Sequence, residues 1–544
     1  MQQQEETIDV ELLDTTLRDG AQGQGISFSV QDKLSLVQTL DELGITWIEA
    51  GNPESNPKDR EFFRLARGLK LSHARLCAFG STRKKGISPE ADPRLQSLLD
   101  AATETVVIFG KSWDLQVREV LGVSLEENRA MISETVAFLK EKGRTVIYDA
   151  EHFFDGWTAN PEYALKTLEE ALEAGADRLV LCDTNGGNFP DCIARGTAAA
   201  LGLRPRGQTA PLVGIHAHND ADMASACSLA AVQEGCRHVQ GTLLGFGERC
   251  GNTSLAVVIP SITLKLGLSC LPPGKLERLF ELSHRVGEIA NVAVPDTMPY
   301  IGAHAFSHKA GMHADGILKA RRSFEHIDPG LVGNDRHFLM SEVGGRSAIA
   351  ERVKKIDPAV SKDHPVTAAL ALRLKALEAE GWQFEGADAS FEILVRQELG
   401  KYKPLFKIEA YRVVSEHPSG GALACSHAWA KVWVEGQHEI AAAEGNGPVH
   451  ALDGALRRAL KHFYPELEQV RLSDYKVRVI DGKDATAAKV RVLIESTDGV
   501  NTWSTVGVSE DIIDASRAAL VDSIEYKLIG DIERRFQSFF PGHL

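Results

Sequence analysis

Eight short β-rich runs alternate with amphipathic helical patterns through about the first 270 residues, and this alternation restricts the fold more than any other feature of the chain. The runs are VELLDTTL (10–17), TWIEAG (46–51), RLCAFG (75–80), TVVIFG (105–110), TVIYDAEHF (145–153), RLVLCDT (178–184), LVGIHAH (212–218) and HVQGTLLG (238–245). Between them lie stretches such as SVQDKLSLVQTLDELG (29–44) and NPEYALKTLEEALEAG (160–175), whose apolar residues recur three and four apart. Gly44, Gly143, Gly175 and Gly235 stand where helices end. Eight successive strand–helix units predict an α/β fold, a (β/α)8 TIM barrel. A doubly wound open sheet is the rival, but it usually carries G-x-G-x-x-G after an early strand, and none is there.

The barrel is expected to fill residues 1–275. Proline-rich irregular sequence follows, LPPGKLERL (271–279) and NVAVPDTMPYIGAHAF (291–306), and residues 276–402 read as a small helical connecting region. Residues 403–544 form an α+β domain with an internal repeat. KVWVEGQHEIAAAEGNGPVHALDGALRRAL (431–460) can be laid over RVLIESTDGVNTWSTVGVSEDIIDASRAAL (491–520), each a ββα unit. A pseudo-symmetric domain of this kind can pair across subunits or hold a ligand between its copies.

The formal charge of −15 over 544 residues argues against a nucleic-acid-binding surface. No run reaches the roughly 18 to 20 apolar residues of a membrane span. The polar start MQQQEETIDV carries no signal-peptide pattern, so a cytoplasmic protein is expected. The eight cysteines form no C-x-x-C pair and read as reduced thiols, mostly buried. The basic clusters STRKKG (81–86) and KARRS (319–323) read as solvated loops, with phosphate contacts to an anionic cofactor as the lesser alternative.

In a barrel, catalysis belongs at the C-terminal strand ends. His216 and His218 alternate on one strand, so both project the same way, a recurrent means of offering two ligands to one divalent ion. Plain hydrogen bonding is the alternative reading. Asp19, after the first strand, is close to strand seven in a closed barrel and is a plausible third ligand. Two histidines and a carboxylate suit Mg²⁺, Mn²⁺ or Zn²⁺ as a Lewis acid. Arg18 offers a fork of donors to a carboxylate or a developing oxyanion, unless it only pairs with its neighbour. Glu151 ends the fifth strand as a candidate base, and Thr184 ends the sixth as a hydroxyl for a substrate carboxylate; capping is the other reading of each. His313, in SHKAGMHADGI (307–317), is a candidate base on a His- and Gly-rich loop, with His304 and His308 as equals.

LLDTTLRDGAQ (12–22), HAHND (216–220), GFGERCGNTSL (245–255) and AFSHKAGMHADGI (305–317) together resemble the metal-dependent Claisen-condensing acyltransferases related to 2-isopropylmalate synthase and homocitrate synthase. The terminal repeat resembles that family's regulatory dimer domain, so the likeness covers nearly the whole chain. RDGAQGQGISFSVQDK (18–33), GNPESNPKD (51–59), AFGSTRKKG (78–86) and YDAEHFFDGW (148–157) look most like the citramalate synthase branch, as does Ala21, where isopropylmalate enzymes usually carry Glu.

The resemblance implies a divalent metal on Asp19, His216 and His218, with Asn252 nearby. It implies Arg18, Thr184 and Asp149 as substrate-binding groups, with Arg18 also stabilising charge. It gives Glu151 and His313 the deprotonation of the acetyl-CoA methyl, and Mg²⁺ or Mn²⁺ ahead of Zn²⁺. In the citramalate branch the second substrate is pyruvate, the effector isoleucine and the assembly a homodimer. The neighbouring alternatives are 2-oxoisovalerate, the substrate of the leucine branch, and a related acyl-CoA lyase, against which the terminal repeat argues. Phe79 and Phe109, beside strands three and four, are candidates for narrowing the oxo-acid pocket. One departure is Phe324 in RSFEHI (322–327), where the family often has Tyr.

Overall fold

The computed structural model describes residues 8–204, 211–308, 313, 316, 317, 319–338, 346–354, 356–361, 363–384, 386–416, 425–480 and 488–539. They fall in two compact units, residues 1–306 with 327–336, and residues 307–326 with 337–544. The start of the chain on which the signal-peptide reading rests lies largely outside the described residues.

The first unit is a closed parallel barrel. Its strands are β1 (Glu11–Asp14), β2 (Trp47–Gly51), β3 (Arg75–Ser81), β4 (Thr105–Lys111), β5 (Thr145–Glu151), β6 (Arg178–Asp183), β7 (Val213–Ala217) and β8 (His238–Gly241). All eight coincide with the runs read from the sequence. β1 pairs with β2 on one side and β8 on the other, which excludes the open sheet. Helices fill the connections with the expected caps. Val30–Leu43 starts at Ser29, whose hydroxyl accepts from the Asp32 amide, and stops at Gly44 with φ +93°. Pro161–Glu173 starts at Asn160, with proline in its first turn.

Strand alternation divides each strand between two environments. Leu12, Ile48, Ala78, Ile108, Tyr148, Leu181, Ile215 and Val239 point outward into the main core beneath the helices. Leu13, Trp47, Cys77, Val107, Ile147, Val180 and Cys182 point inward and form a cluster of their own. Below them, Arg178 grips Glu11 through two 2.6 Å hydrogen bonds and lies 5.0 Å from the Trp47 ring. The barrel is therefore packed rather than a channel: an apolar layer lies above the Arg178–Glu11 pair, and polar inward side chains collect again towards the C-terminal mouth. The helix Leu279–Ala290 joins this unit, with Arg285 and Arg278 both paired to Glu42.

In the second unit, β9 (Ser307–His308) pairs with β10 (His337–Phe338). The helices Arg346–Val353, Pro365–Ala379 and Asp388–Glu398 share a core that includes Val353, Leu370, Leu374 and Phe391. Two antiparallel sheets follow. β11 (Lys407–Glu416), β12 (Cys425–Val434) and β13 (Gln437–Gly445) precede the helix Pro448–Lys461. β14 (Arg471–Val479), β15 (Val490–Thr497) and β16 (Thr502–Ser509) precede the helix Ile512–Phe539.

The repeat is thus βββα, one strand longer than the sequence indicates. Each extra strand carries a register shift near its start, between Ile408 and Ala410 and between Leu472 and Asp474. The β12–β13 hairpin turns on Glu435 and Gly436, both with positive φ.

The eight cysteines are all free, five of them buried. No helix among the described residues is long and apolar enough to cross a membrane.

Candidate active site

The inward positions nearest the mouth carry the chemistry. Asp19 follows β1 on a short turn whose amide bonds to the Thr15 hydroxyl at 3.3 Å. His216 and His218 leave β7 on the same side. The Asp19 Oδ2 lies 3.6 Å from His216 Nε2 and 3.9 Å from His218 Nε2, and the two Nε2 atoms are 3.4 Å apart. All three residues are buried. They are the one group of three or more such side chains among the described residues arranged to hold a metal ion.

The protonation states suit that use. Burial raises the Asp19 carboxyl, but Arg18 and the two histidines outweigh it and hold it at about 2. Burial, reinforced by His216, lowers His218 to about 4, so its ring is neutral at pH 7. His216 Nδ1 donates to Gln240 Oε1 at 2.9 Å, which leaves the Nε2 lone pair facing the cluster. Gln240 in turn donates to Asp149 Oδ1 at 2.9 Å. An ionised carboxylate and imidazole lone pairs are the donor set a divalent cation requires. Asn252 is bridged to His218 across the backbone, and its buried Oδ1 has no hydrogen-bond partner among the described residues.

A cavity of about 230 Å³ opens above this cluster, and Arg18, Asp149, Glu151 and Thr184 line it with the metal-type donors. Arg18 is clamped from three sides. Its Nε meets Glu49 at 2.5 Å, its Nη1 meets Asp19 at 3.2 Å, and its guanidinium lies 3.7 Å over the Phe79 ring. The neighbour-pairing alternative therefore holds in part, but the arginine also faces the cavity. Burial, with Glu49 close by, pushes the Asp149 carboxyl well above the usual carboxylate range. Glu151 pairs with Lys111 at 2.5 Å. The Thr184 hydroxyl accepts the His152 amide at 2.8 Å and keeps its own proton to donate. His152 takes left-handed backbone, φ +59°, to make that bond. Phe79 and Phe109 stack at 5.3 Å and form an aromatic wall.

His313 belongs to the second unit. It is exposed there, with its ring stacked on Phe324 at 4.3 Å. Phe324 thus presents a ring face to His313. Most of the loop read around His313 lies outside the described residues. His308 is tied to Glu325 at 3.0 Å, and His304 is exposed in the first unit.

Two residues of the site escape sequence reasoning. Glu49 anchors Arg18 and also accepts from Thr15 at 2.6 Å; Gln240 orients His216. Both lie within strand runs rather than after them. The available signal was a polar residue at an inward position of a strand buried on both faces. The basic cluster at 81–86 also departs from a solvated loop, since Arg83 is buried between Glu127 and Glu134.

Comparison with known proteins places these features in context. The HMGL-like family profile matches residues 9–286, the homocitrate synthase post-HMGL domain-like profile residues 300–381, and the LeuA allosteric (dimerisation) domain profile residues 385–528. An (R)-citramalate synthase of Aquifex aeolicus is 49% identical over 524 residues, 96% of this chain and 98% of that protein. One from a Synechocystis species is 48% identical over 526 residues, 95% of this chain and 96% of that protein. A probable 2-isopropylmalate synthase of Methanopyrus kandleri is 32% identical over 516 residues, 95% and 97% of the two chains.

The orienting bond from Gln240 is open to a direct test. Gln240→Leu is expected to weaken divalent-ion binding about 10- to 100-fold in calorimetric titrations, with an unchanged circular dichroism spectrum. His216→Ala is expected to abolish that binding.

Proposed function

We propose that this chain, which belongs to the HMGL-like family and within it to the (R)-citramalate synthases, joins the acetyl group of acetyl-CoA to pyruvate and releases citramalate and CoA by thioester hydrolysis. The observation that carries this reading is the buried Asp19–His216–His218 set beneath a cavity walled by one guanidinium and two stacked phenyl rings. Asp19, His216 and His218 would hold a divalent ion, with the unpartnered Asn252 Oδ1 available as a further oxygen. Mg²⁺ or Mn²⁺, with Zn²⁺ as a third candidate, would supply Lewis acidity to the oxo acid there.

The chain's own groups do the rest. Arg18, fixed by Glu49 and Phe79, directs a preorganised charge at the oxygen that becomes an alkoxide. Thr184 donates a hydrogen bond from its hydroxyl to the pyruvate carboxylate. Asp149, whose carboxyl burial pushes well above the usual carboxylate range, lines the cavity as a substrate-binding group. Glu151 takes the proton from the acetyl methyl, its carboxylate oriented by Lys111. His313 keeps the share in that transfer that the resemblance gives it, as a proposal from sequence. Phe79 and Phe109 leave room for the methyl of pyruvate and crowd a branched side chain.

We further propose a homodimer, with isoleucine as the effector of the C-terminal domain, in the reducing cytoplasm that suits eight free thiols. The face of the β11–β13 sheet turned away from its helix leaves Trp429, Trp433 and Ile440 38%, 40% and 61% exposed, which supports burial against a second copy.

Three outcomes test this reading. Thiol release from acetyl-CoA is expected with pyruvate, and only weakly with 2-oxoisovalerate or 2-oxoglutarate. It should vanish on chelation and return with Mg²⁺ or Mn²⁺; no release with any oxo acid would remove the synthase reading. Phe109→Ala is expected to raise kcat/KM for 2-oxoisovalerate relative to pyruvate by about tenfold. Trp433→Lys is expected to convert dimer to monomer in light scattering behind a sizing column.

A further inference from the structure

Residues 81–86, STRKKG, carry three cations in succession in a chain of net charge −15. The structure divides them. Arg83 is held internally by Glu134 at 2.6 Å and Glu127 at 2.9 Å, and its amide bonds to the Thr135 hydroxyl at 2.8 Å. The Lys84 amide bonds to Asp92 at 2.7 Å. The backbone of this turn is therefore fixed. Lys84 and Lys85 are exposed, and neither side chain has a carboxylate partner among the described residues. The Lys85 ammonium meets the Gly122 carbonyl at 3.5 Å. Two desolvation-free, unneutralised cations on a rigid turn are a site for anionic groups.

The two lysines rim a groove of about 300 Å³ whose apolar lining includes Val120, Leu121, Val123 and Met131. Val120 is 63% exposed, which nothing in the barrel's own packing requires. The groove shares Phe109 with the catalytic cavity. It also includes Lys111, whose ammonium pairs with Glu151 of that cavity. A ligand here would be long, with a reactive end at the metal-type cluster, an apolar stretch and an anionic far end.

We propose that this groove binds the phosphate-bearing end of the acyl-CoA thioester, with Lys84 and Lys85 on its phosphates and the 120–123 segment against its apolar arm. The assignment deepens the acetyl-CoA reading given above and rests on it. It gives the basic cluster a use that the barrel chemistry does not otherwise supply.

The test compares acetyl-CoA with acetyl-pantetheine, which has the same reacting end and no phosphate, on the full-length protein. Lys84→Glu/Lys85→Glu is expected to shrink the kcat/KM advantage of acetyl-CoA over acetyl-pantetheine by about tenfold. It is also expected to weaken CoA binding in calorimetry by a similar factor. Salt should weaken CoA binding to the wild-type protein and bring it towards the variant. Should charge reversal disturb folding, Lys84→Ala/Lys85→Ala gives the same readouts, and Val120→Glu probes the apolar side. An unchanged advantage with unchanged CoA affinity would overturn the groove assignment. Absence of any thiol release by the wild-type protein would instead overturn the functional reading, and calorimetric CoA binding would still decide the groove.

Discussion

Arg18 is the cation around which the carboxylates of the barrel mouth are arranged: Nε holds Glu49, Nη1 holds Asp19, and its plane rests on Phe79. Burial works against its charge, yet the flanking carboxylates keep it firmly protonated. Without it, Asp19 would lie in a site where burial favours the neutral acid, and removing one partner of a buried pair leaves the other uncompensated. Asp149, further from that compensation, is pushed towards its neutral form. One guanidinium thus stands beside a carboxyl group that it helps to hold low and near a second that burial pushes up. The same residue that prepares the cation site also faces the cavity above it.

The parts of this site legible in the sequence were those at the ends of strands. His216 and His218 stood out because two imidazoles on one face break an apolar run, and Asp19 because β1 ends beside it. Glu49 and Gln240 stayed hidden because a polar side chain inside a buried strand looks like noise until the strand's inward parity is known. The extra strands β11 and β14 were missed for a different reason. Their side chains are mostly exposed or partly so, and a strand with little buried face leaves little alternation to read. Arg83 was misread because a charge run normally lies in solvent, and only tertiary structure could bring Glu127 and Glu134 to it.

The two βββα repeats share a fold but differ in what covers their sheets. In the second, Leu493 and Val506 pack into the cluster formed with the helices Pro365–Ala379 and Asp388–Glu398. In the first, Trp429 and Trp433 stay open. Pseudo-symmetry of the chain is therefore broken by the preceding segment, which occupies one face and leaves its counterpart available. Ser390 strengthens that asymmetry: its hydroxyl joins Asp522 at 2.6 Å and the Val506 amide at 3.0 Å.

The barrel's closure has an effect on how the site comes into being. β8 lies between β1 and β7, so the three donors straddle the seam where the sheet joins its own beginning. Asp19 leaves the ribosome some two hundred residues before His216, and the orienting Gln240 comes later still. No shorter piece of the barrel holds the full set. The three side chains therefore come together only when the sheet closes on itself, with β8, which supplies Gln240, between the strands that carry them.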